Sequence, residues 1–364
     1  MNLARITLAS ILGKLKPAVG SKGSMPAFTW LLMTPSSTGT TFRTCNEHLS
    51  IEVELAADQA LPEPVAVPYQ MIADAVGAIS APTIHMSVTG STLMLSTGTA
   101  VVDLETTSAS DFPDPPRVVD GRAIVELDGG GWLRTLSMVA PAVARDTTRP
   151  MLAGVMVGEH AIAAADGFRA HMAGSTYGDH VLLPPPMVGA IVATLKGAGD
   201  RIHKSVYTLH AGDFWATMTI GSATISGRLV SGQYPQLGRI IEPLATTTLP
   251  RVTITIAAVL EALKVAMALR TDVAAIRLEL AAGVIIVSSR PTTGASKASA
   301  RVGVTDAGHA SWTIAVNGGY LRDALNALAL AGPTCDLIVI DGRQPLGLNN
   351  GELWAVVMPM TVGV

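Results

Sequence analysis

Three amphipathic helices set the plan of this chain. Val67–Ile79, Leu183–Leu195 and Val316–Leu328 align without gaps. Met71 falls with Met187 and Tyr320, Ile72 with Val188 and Leu321, Ala75 with Ile191 and Ala324. Val76 falls with Val192 and Leu325, and Ile79 with Leu195 and Leu328. Each segment carries one apolar face at helical spacing. The first two begin at Pro68 and Pro184, and proline is favoured at a helix start. Any three amphipathic helices can be slid into register, so the alignment alone is weak. Order adds weight: each is the second helix of its segment, and each segment closes on an aromatic-or-Met/Pro step, Phe112-Pro113, Tyr234-Pro235 and Met358-Pro359. A threefold internal repeat accounts for this. It predicts an α+β fold in three domains, 1–120, 121–246 and 247–364.

The first helix of each segment is expected at Ile6–Val19, at Trp132–Ala144 behind Gly129–Gly131, and at Ala257–Leu269. Alternating strand patterns fill the spaces, among them Phe28–Met33, Ile51–Leu55, Ile84–Val88, Ala100–Glu105, Val252–Ile256 and Ala275–Leu280. In the middle of the chain, Met151–Val157 and Ala161–Ala165 flank Gly158-Glu159-His160, which reads as a hairpin. It runs into Asp166-Gly167-Phe168-Arg169. Gly167 suits a left-handed or tight position, and Asp166 can bond back onto the turn. Phe168 and Arg169 then project from a strand end, a good place to hold a ligand. The plain alternative is an ordinary turn with a surface arginine.

Length suggests two or three domains. Charged residues are only 15% and aromatics 4%, so the cores must be built from Leu, Ile, Val, Met and Ala. The most apolar stretch, Thr253–Leu269, is broken by Glu261 and Lys264, too soon to span a membrane. The N-terminus is mildly basic and amphipathic and lacks a clean apolar core and cleavage site, so it reads as a first helix and the protein as cytoplasmic. Cys45 and Cys335 stand far apart, which fits a reducing compartment with neither disulfide framework nor zinc site. A net charge of -3 argues against indiscriminate nucleic-acid binding but allows a local basic surface. A nucleophile elbow, P-loop, dinucleotide glycine fingerprint and His-x-x-x-His spacing are all absent from the sequence. Gly129-Gly130-Gly131 lacks the Lys-Ser/Thr of a phosphate loop. Catalysis, a cofactor and a metal are therefore not expected.

The repeat, the Asp-Gly-x-Arg step at 166–169, the Tyr-Pro-x-x-x-Arg step at 234–239 and the Val-Val-Met-Pro-Met tail at 356–360 together resemble the bacterial β sliding clamp, the DNA polymerase III beta subunit family. The resemblance covers essentially the whole chain. It is strongest over Ala144–Ala170, Ser231–Ile240, Asn317–Leu328 and Val356–Met360. It implies the DNA clamp fold, with helices inside and antiparallel sheets outside, and a head-to-tail homodimeric ring around double-stranded DNA. Such a ring is a non-catalytic processivity factor that tethers the replicative polymerase, the clamp loader and other clamp-motif proteins, and is associated with the nucleoid. A monomeric clamp-fold scaffold or decoy for such peptides is the alternative.

A surface that slides should offer scattered cations to phosphates. Candidates are Lys14, Lys16, Lys22, Arg134, Arg145, Arg149, Lys196, Arg201, Lys204, Lys264, Arg270 and Arg322; the plain alternative is a solvated helix face. The resemblance also implies a pocket for peptides of Gln-Leu-x-Leu-Phe type. Carried over residue by residue, it comprises Leu152, Ala165, Gly167, Phe168, Arg169, Ala170, Pro235, Ile240, Tyr320, Val356, Met358, Pro359 and Met360. Met, Val and Pro would make an adaptable apolar floor and Arg169 a polar rim. Alone, Met358–Met360 would read as a last core strand. The family usually has Leu at Ala170 and often His at Phe168, so the short floor residue should open volume, the ring should refill it, and peptide preference should be altered. Thr361-Val362-Gly363-Val364 should crowd the pocket. Ring closure should bring Val102 and Leu104, on an edge strand, against Ala268 and Leu269 of the other protomer; otherwise these residues are core.

Overall fold

The structure, a computed structural model, describes residues 1–364 apart from 22–24, 57–59, 115–117, 119–120, 147, 175–178, 247, 269–274, 290–296, 305–309 and 362–364. Lys22, Leu269, Arg270 and the tail Val362-Gly363-Val364 thus lie outside the described residues, as do positions 120 and 247 at expected domain boundaries.

The same order of elements recurs three times. First come β1 (Asn2–Ala4), α1 (Arg5–Leu15), β2 (Trp30–Ser36), β3 (Gly39–Cys45), β4 (Leu49–Ala56), β5 (Val65–Pro68), α2 (Tyr69–Ala78), β6 (Thr83–Thr89), β7 (Thr92–Ser96) and β8 (Val101–Glu105). The second repeat holds β9 (Arg122–Asp128), α3 (Gly129–Val139), β10 (Val155–Gly158), β11 (Ala161–Ala165), β12 (Arg169–Gly174), β13 (His180–Leu183) and α4 (Pro185–Lys196). It continues with the short α5 (Asp200–Lys204), β14 (Val206–Ala211), β15 (Trp215–Ile220) and β16 (Ala223–Arg228), and α6 (Gly238–Ala245) follows as a connector. The third runs β17 (Arg251–Thr255), α7 (Ile256–Ala266), β18 (Ala275–Ala281), β19 (Val284–Ser289), β20 (Ala298–Gly303), β21 (Trp312–Asn317), α8 (Gly318–Ala329), β22 (Thr334–Ile338), β23 (Leu346–Asn349) and β24 (Leu353–Val357).

Each repeat makes two antiparallel half-sheets, one from its second to fifth strands and one from its first, sixth, seventh and eighth. Successive repeats fuse half-sheets into eight strands: β5-β2-β3-β4-β16-β15-β14-β9 and β13-β10-β11-β12-β24-β23-β22-β17. Two half-sheets stay four-stranded, β1-β6-β7-β8 and β20-β19-β18-β21. Both fusions share one register. Glu52 and Met172 hold matching places, facing Arg43 and Ala163 on the neighbouring strand. In the fusions Glu52 faces Thr224 and Met172 faces Trp354.

By contact the chain forms two compact units, Met1–Leu133 with Pro186–Leu229, and Arg134–Pro185 with Val230–Val364. Each unit holds one eight-stranded and one four-stranded sheet, so the unit boundaries cut through the middle repeat.

The apolar columns of the repeat are core. Ile72, Val188, Leu321, Leu195 and Leu328 are all buried. Ala75, Val192 and Tyr320 are half-buried, and Met71 is 58% exposed where Met187 is fully buried. Met187 owes its place to Gly227, where a Cβ would come within 2.8 Å of the Met187 Cβ. Helix ends differ from the periodicity for local reasons. α3 starts at Gly129 because the Asp128 carboxylate accepts the Gly131 N–H at 2.7 Å. It stops at Val139, before Pro141, as α1 stops before Pro17. β3 is hidden in the sequence by its threonines. Thr40 and Thr44 are fully buried, and the Thr44 hydroxyl donates to the Leu15 carbonyl at 2.7 Å.

Candidate partner-binding site

The turn after β11 builds the site. Gly167 takes φ +90°, a conformation that favours glycine. One Asp166 carboxylate oxygen accepts the N–H groups of Phe168 (2.9 Å) and Arg169 (3.0 Å). The other accepts the Arg169 Nε at 3.0 Å. Arg169 Nη1 donates to Asp323 on α8 at 2.6 Å, and its guanidinium lies 4.4 Å from the Tyr320 ring centroid. α8 is held by a side-chain cap: the Asn317 amide oxygen accepts from the Gly319 and Tyr320 N–H groups. Arg169 is only 6% exposed. It is therefore no polar rim, as its sequence context suggests, but the tie between β12 and α8.

Around this tie opens a cavity of about 500 Å³ within the second unit. Leu152, Phe168, Arg169 and Tyr320 of the expected peptide pocket line it. So do Arg145, Arg149 and Arg322, which the sequence suggested for DNA, and Asp146, Asp166 and Asp323. Arg145 and Arg149 are exposed at its mouth, and Arg149 overlies Gly167, where a Cβ would meet its Nη1 at 2.9 Å. Asp323 and Asn317 were not among the sequence candidates for this site: Asn317 carries the local signal of a helix cap, whereas Asp323 carries none, since its role comes from α8 meeting β12. The mix of guanidiniums, carboxylates and apolar walls suits a short peptide of mixed character.

The other expected floor residues lie apart from the opening. Ala165, Ala170 and Val356 are 2–5% exposed in one cluster with Tyr234, Leu237, Ile241 and Leu244, which Leu152 joins from the cavity wall. The short Ala170 side chain is enclosed in this cluster and opens no volume to solvent. The Phe168 ring does not refill the floor either; it is 62% exposed, at the cavity edge. The Met358 N–H bonds to the Phe168 carbonyl at 2.8 Å, leaving Met358 37% exposed beside that edge. Pro359 bridges to Val316, and the Met360 N–H bonds to the Ala315 carbonyl at 2.7 Å. Pro235 and Ile240 are exposed on the connector that carries α6. Thr361 is exposed.

Behind Arg169 on β12 lies His171, fully buried. Its Nδ1 bonds to the Met138 carbonyl at 2.7 Å, and its Nε2 has no partner. Burial lowers its pKa from 6.5 to about 4, helped by Arg169 and opposed by the Met138 bond, Asp323 and Asp166. Cys45 and Cys335 are free and buried, and burial raises their thiols to about 11 and about 12. Among the described residues no cluster of His, Cys, Asp or Glu could hold a metal, and no helix is long and apolar enough to cross a membrane.

The remaining cations are spread out. In the first unit Lys14 lines a shallow groove beside Ile6, Ser10 and Glu54, and Lys16, Lys196 and Arg201 are exposed. Lys204 pairs with Asp200 at 4.0 Å. In the second unit Arg134 pairs with Glu352 at 3.3 Å, Lys264 with Glu261 at 3.9 Å and Arg322 with Asp323 at 3.7 Å. Such exposed pairs are weak and exchangeable. Of the expected ring contacts, β8 is an edge strand, but Leu104 is 6% exposed and belongs to its own core. Side chains alternate along a strand, so the large apolar residue facing out is Val101, 61% exposed, which the sequence reading passed over. Ala268 is exposed just after α7.

Residues 1–116 match the family model for the DNA polymerase III beta subunit, N-terminal domain. The whole chain superposes on solved sliding clamps. The DNA polymerase sliding clamp of Bacillus subtilis is 17% identical, with a TM-score of 0.86 over 100% of this chain and 99% of that one. The DNA polymerase III beta subunit of Thermotoga maritima is 18% identical, with a TM-score of 0.86 over the same shares. A Pseudomonas aeruginosa sliding clamp, solved bound to griselimycin, is 19% identical, with a TM-score of 0.87 over 100% and 99%. Residues 1–116 thus carry the sequence match to the N-terminal domain of the DNA polymerase III beta subunit, and the chain carries the sliding-clamp fold from end to end.

Proposed function

We propose that this protein is a sliding clamp: two copies close head to tail around duplex DNA and tether the replicative polymerase and other partners. The family is non-catalytic, so the protein acts by binding. The carrying observation is the sharing of sheets. Inside the chain, the fourth strand of one repeat always pairs with the eighth strand of the next, β4 with β16 and β12 with β24. By that rule β20 and β8 are each left without a partner, one at either end of the repeat array. An open edge is normally a liability, and a second copy offers the missing strand at both. The strand that meets β8 is then β20, which packs against α7, the helix just before Ala268.

The scattered, weakly paired cations support contact with phosphates that specifies no sequence. The cavity around Arg169 supports docking of short partner peptides, and the site of action is the cytoplasm, on nucleoid DNA. Light scattering across dilution is the first test: a dimer near twice 37.6 kDa is expected. Assembled by a clamp loader on nicked circular duplex, it should stay bound until the circle is cut. Equal loss from circular and linear DNA would overturn the reading. A monomer at every concentration would favour a peptide-binding scaffold instead.

A further inference from the structure

We infer that the two copies join in one definite register, with Lys297 of one copy directly opposite Asp103 of the other as a cross-strand ion pair; this rests on the head-to-tail reading above. The register follows from the chain's own ladders. Ala66, Leu182 and Ala315, each two before the aligned Pro68, Pro184 and Asn317, face Leu32, Met156 and Arg277. These face Arg43, Ala163 and Ser288, which in turn face Glu52, Met172 and Ser299, so the last three hold one place in the repeats. At the other end Ala4, Asp128 and Thr255, each just before the first helix of its repeat, face Thr83, Val206 and Thr334. Four residues on, Ser87, His210 and Ile338 face Met94, Thr217 and Gly347, which face Asp103, Ser226 and Val356, again one place. In both internal fusions the residue two before the first place faces the second: Ser50 faces Ser226, and Ala170 faces Val356. Two before Ser299 is Lys297, so the third fusion sets it against Asp103.

Exposure agrees with this register. Directly opposed residues in a sheet share a face. Lys297 and Asp103 are both exposed, as are the next pair, Ser299 and Val101, while Ala298 and Val102 between them are half-buried. A shift by one residue would set outward side chains against inward ones. Neither Lys297 nor Asp103 has an ion-pair partner within the chain among the described residues. In the internal fusions the equivalent pairs are small or apolar and buried, Ser50 with Ser226 and Ala170 with Val356. At the open edges the same place carries opposite charges, suited to a surface that is wet before it pairs.

The test uses the full-length protein with paired cysteines. Opposed residues of an antiparallel pair lie about 4.5–5.5 Å apart at Cα, inside the range a disulfide spans, whereas diagonal neighbours lie about 7–8 Å apart. Under copper-phenanthroline, Asp103→Cys with Lys297→Cys should give a covalent dimer, while Asp103→Cys with Ser299→Cys should not; the native thiols are buried. Asp103→Lys or Lys297→Asp alone should raise the dimer dissociation constant roughly 10- to 100-fold, since a closed ring contains the pair twice. The two together should restore it. Cross-linking by the Ser299 pair, or no rescue by the double reversal, would overturn the register while leaving the ring intact. A wild-type protein that never dimerises would remove the ring itself.

Discussion

Arg169→Ala separates two roles for the residue at the centre of the site. If Arg169 is a tie between β12 and α8, its loss is felt first in folding. The guanidinium is buried and makes charge-assisted bonds of 3.0 Å to Asp166 and 2.6 Å to Asp323, and it stacks on Tyr320. Breaking a fully buried pair from one side costs about 3–5 kcal/mol, because the partner charge is stranded. Here the stranded charges keep some relief. Asp166 still accepts two backbone N–H groups, and Asp323, 28% exposed, still lies 3.7 Å from Arg322. The expected destabilisation is therefore lower, about 2–3 kcal/mol. Urea unfolding of the full chain, followed by tryptophan fluorescence with Trp354 as a reporter in the same unit, measures it. A double-mutant cycle with Asp323→Asn should give a coupling of at least about 1 kcal/mol. A loss under about 0.5 kcal/mol with a coupling near zero would refute the tie and return Arg169 to the rim.

Two further outcomes follow from the same region. His171 is neutral when folded and has a lowered pKa near 4, so between pH 6.5 and about 4 the unfolded chain binds the extra proton. Its contribution is fully present above pH 6.5 and is lost as pH falls through that window, about 3 kcal/mol in all; His171→Gln should flatten the pH dependence of the urea midpoint, and an unchanged slope would exclude His171 as its source. Ala170→Leu, which restores the residue usual in the family, should lower the melting temperature, because overpacking a closed cluster costs about 1–3 kcal/mol; a raised melting temperature would mean that the cluster holds room for a guest side chain.

The repeat was legible because it is written in apolar spacing, and Ile72, Val188 and Leu321 are buried as that spacing requires. The Asp166-Gly167 turn was legible because its chemistry is local. What escaped notice depends on pairs distant in sequence. Arg169 read as a free rim charge because nothing near it announces Asp323, more than a hundred residues away. That Arg145 and Arg149 line the cavity beside Arg169 is also hidden, because charge alone does not say which wall a side chain lines. Leu104 and Val101 share one edge strand, and only alternation assigns Leu104 inward and Val101 outward. β3 escaped because buried threonines look polar in sequence.

The two halves of the expected peptide pocket lie on opposite faces of β12, and this governs how a peptide can use them. Arg169 points to α8, and Ala170 and Met172 point to the cluster under α6, as strand alternation requires. The α8 side is open and lined by guanidiniums; the other side is closed by Tyr234, Leu237, Ile241 and Leu244. A peptide can engage the open side with no rearrangement, meeting Arg145, Arg149, Phe168 and Tyr320. To reach Ala170 and Val356 it must cross the strand end at Phe168 and Met358 and lift the connector that bears Pro235 and Ile240. The cost of that lift is subtracted from its affinity. Small residues at Ala165 and Ala170, which face each other across the ladder, go with a connector packed down on the sheet. Under the proposed function, affinity for apolar motifs is then set by how readily the connector lifts, and affinity for the charged part of a motif by a cavity that is already formed.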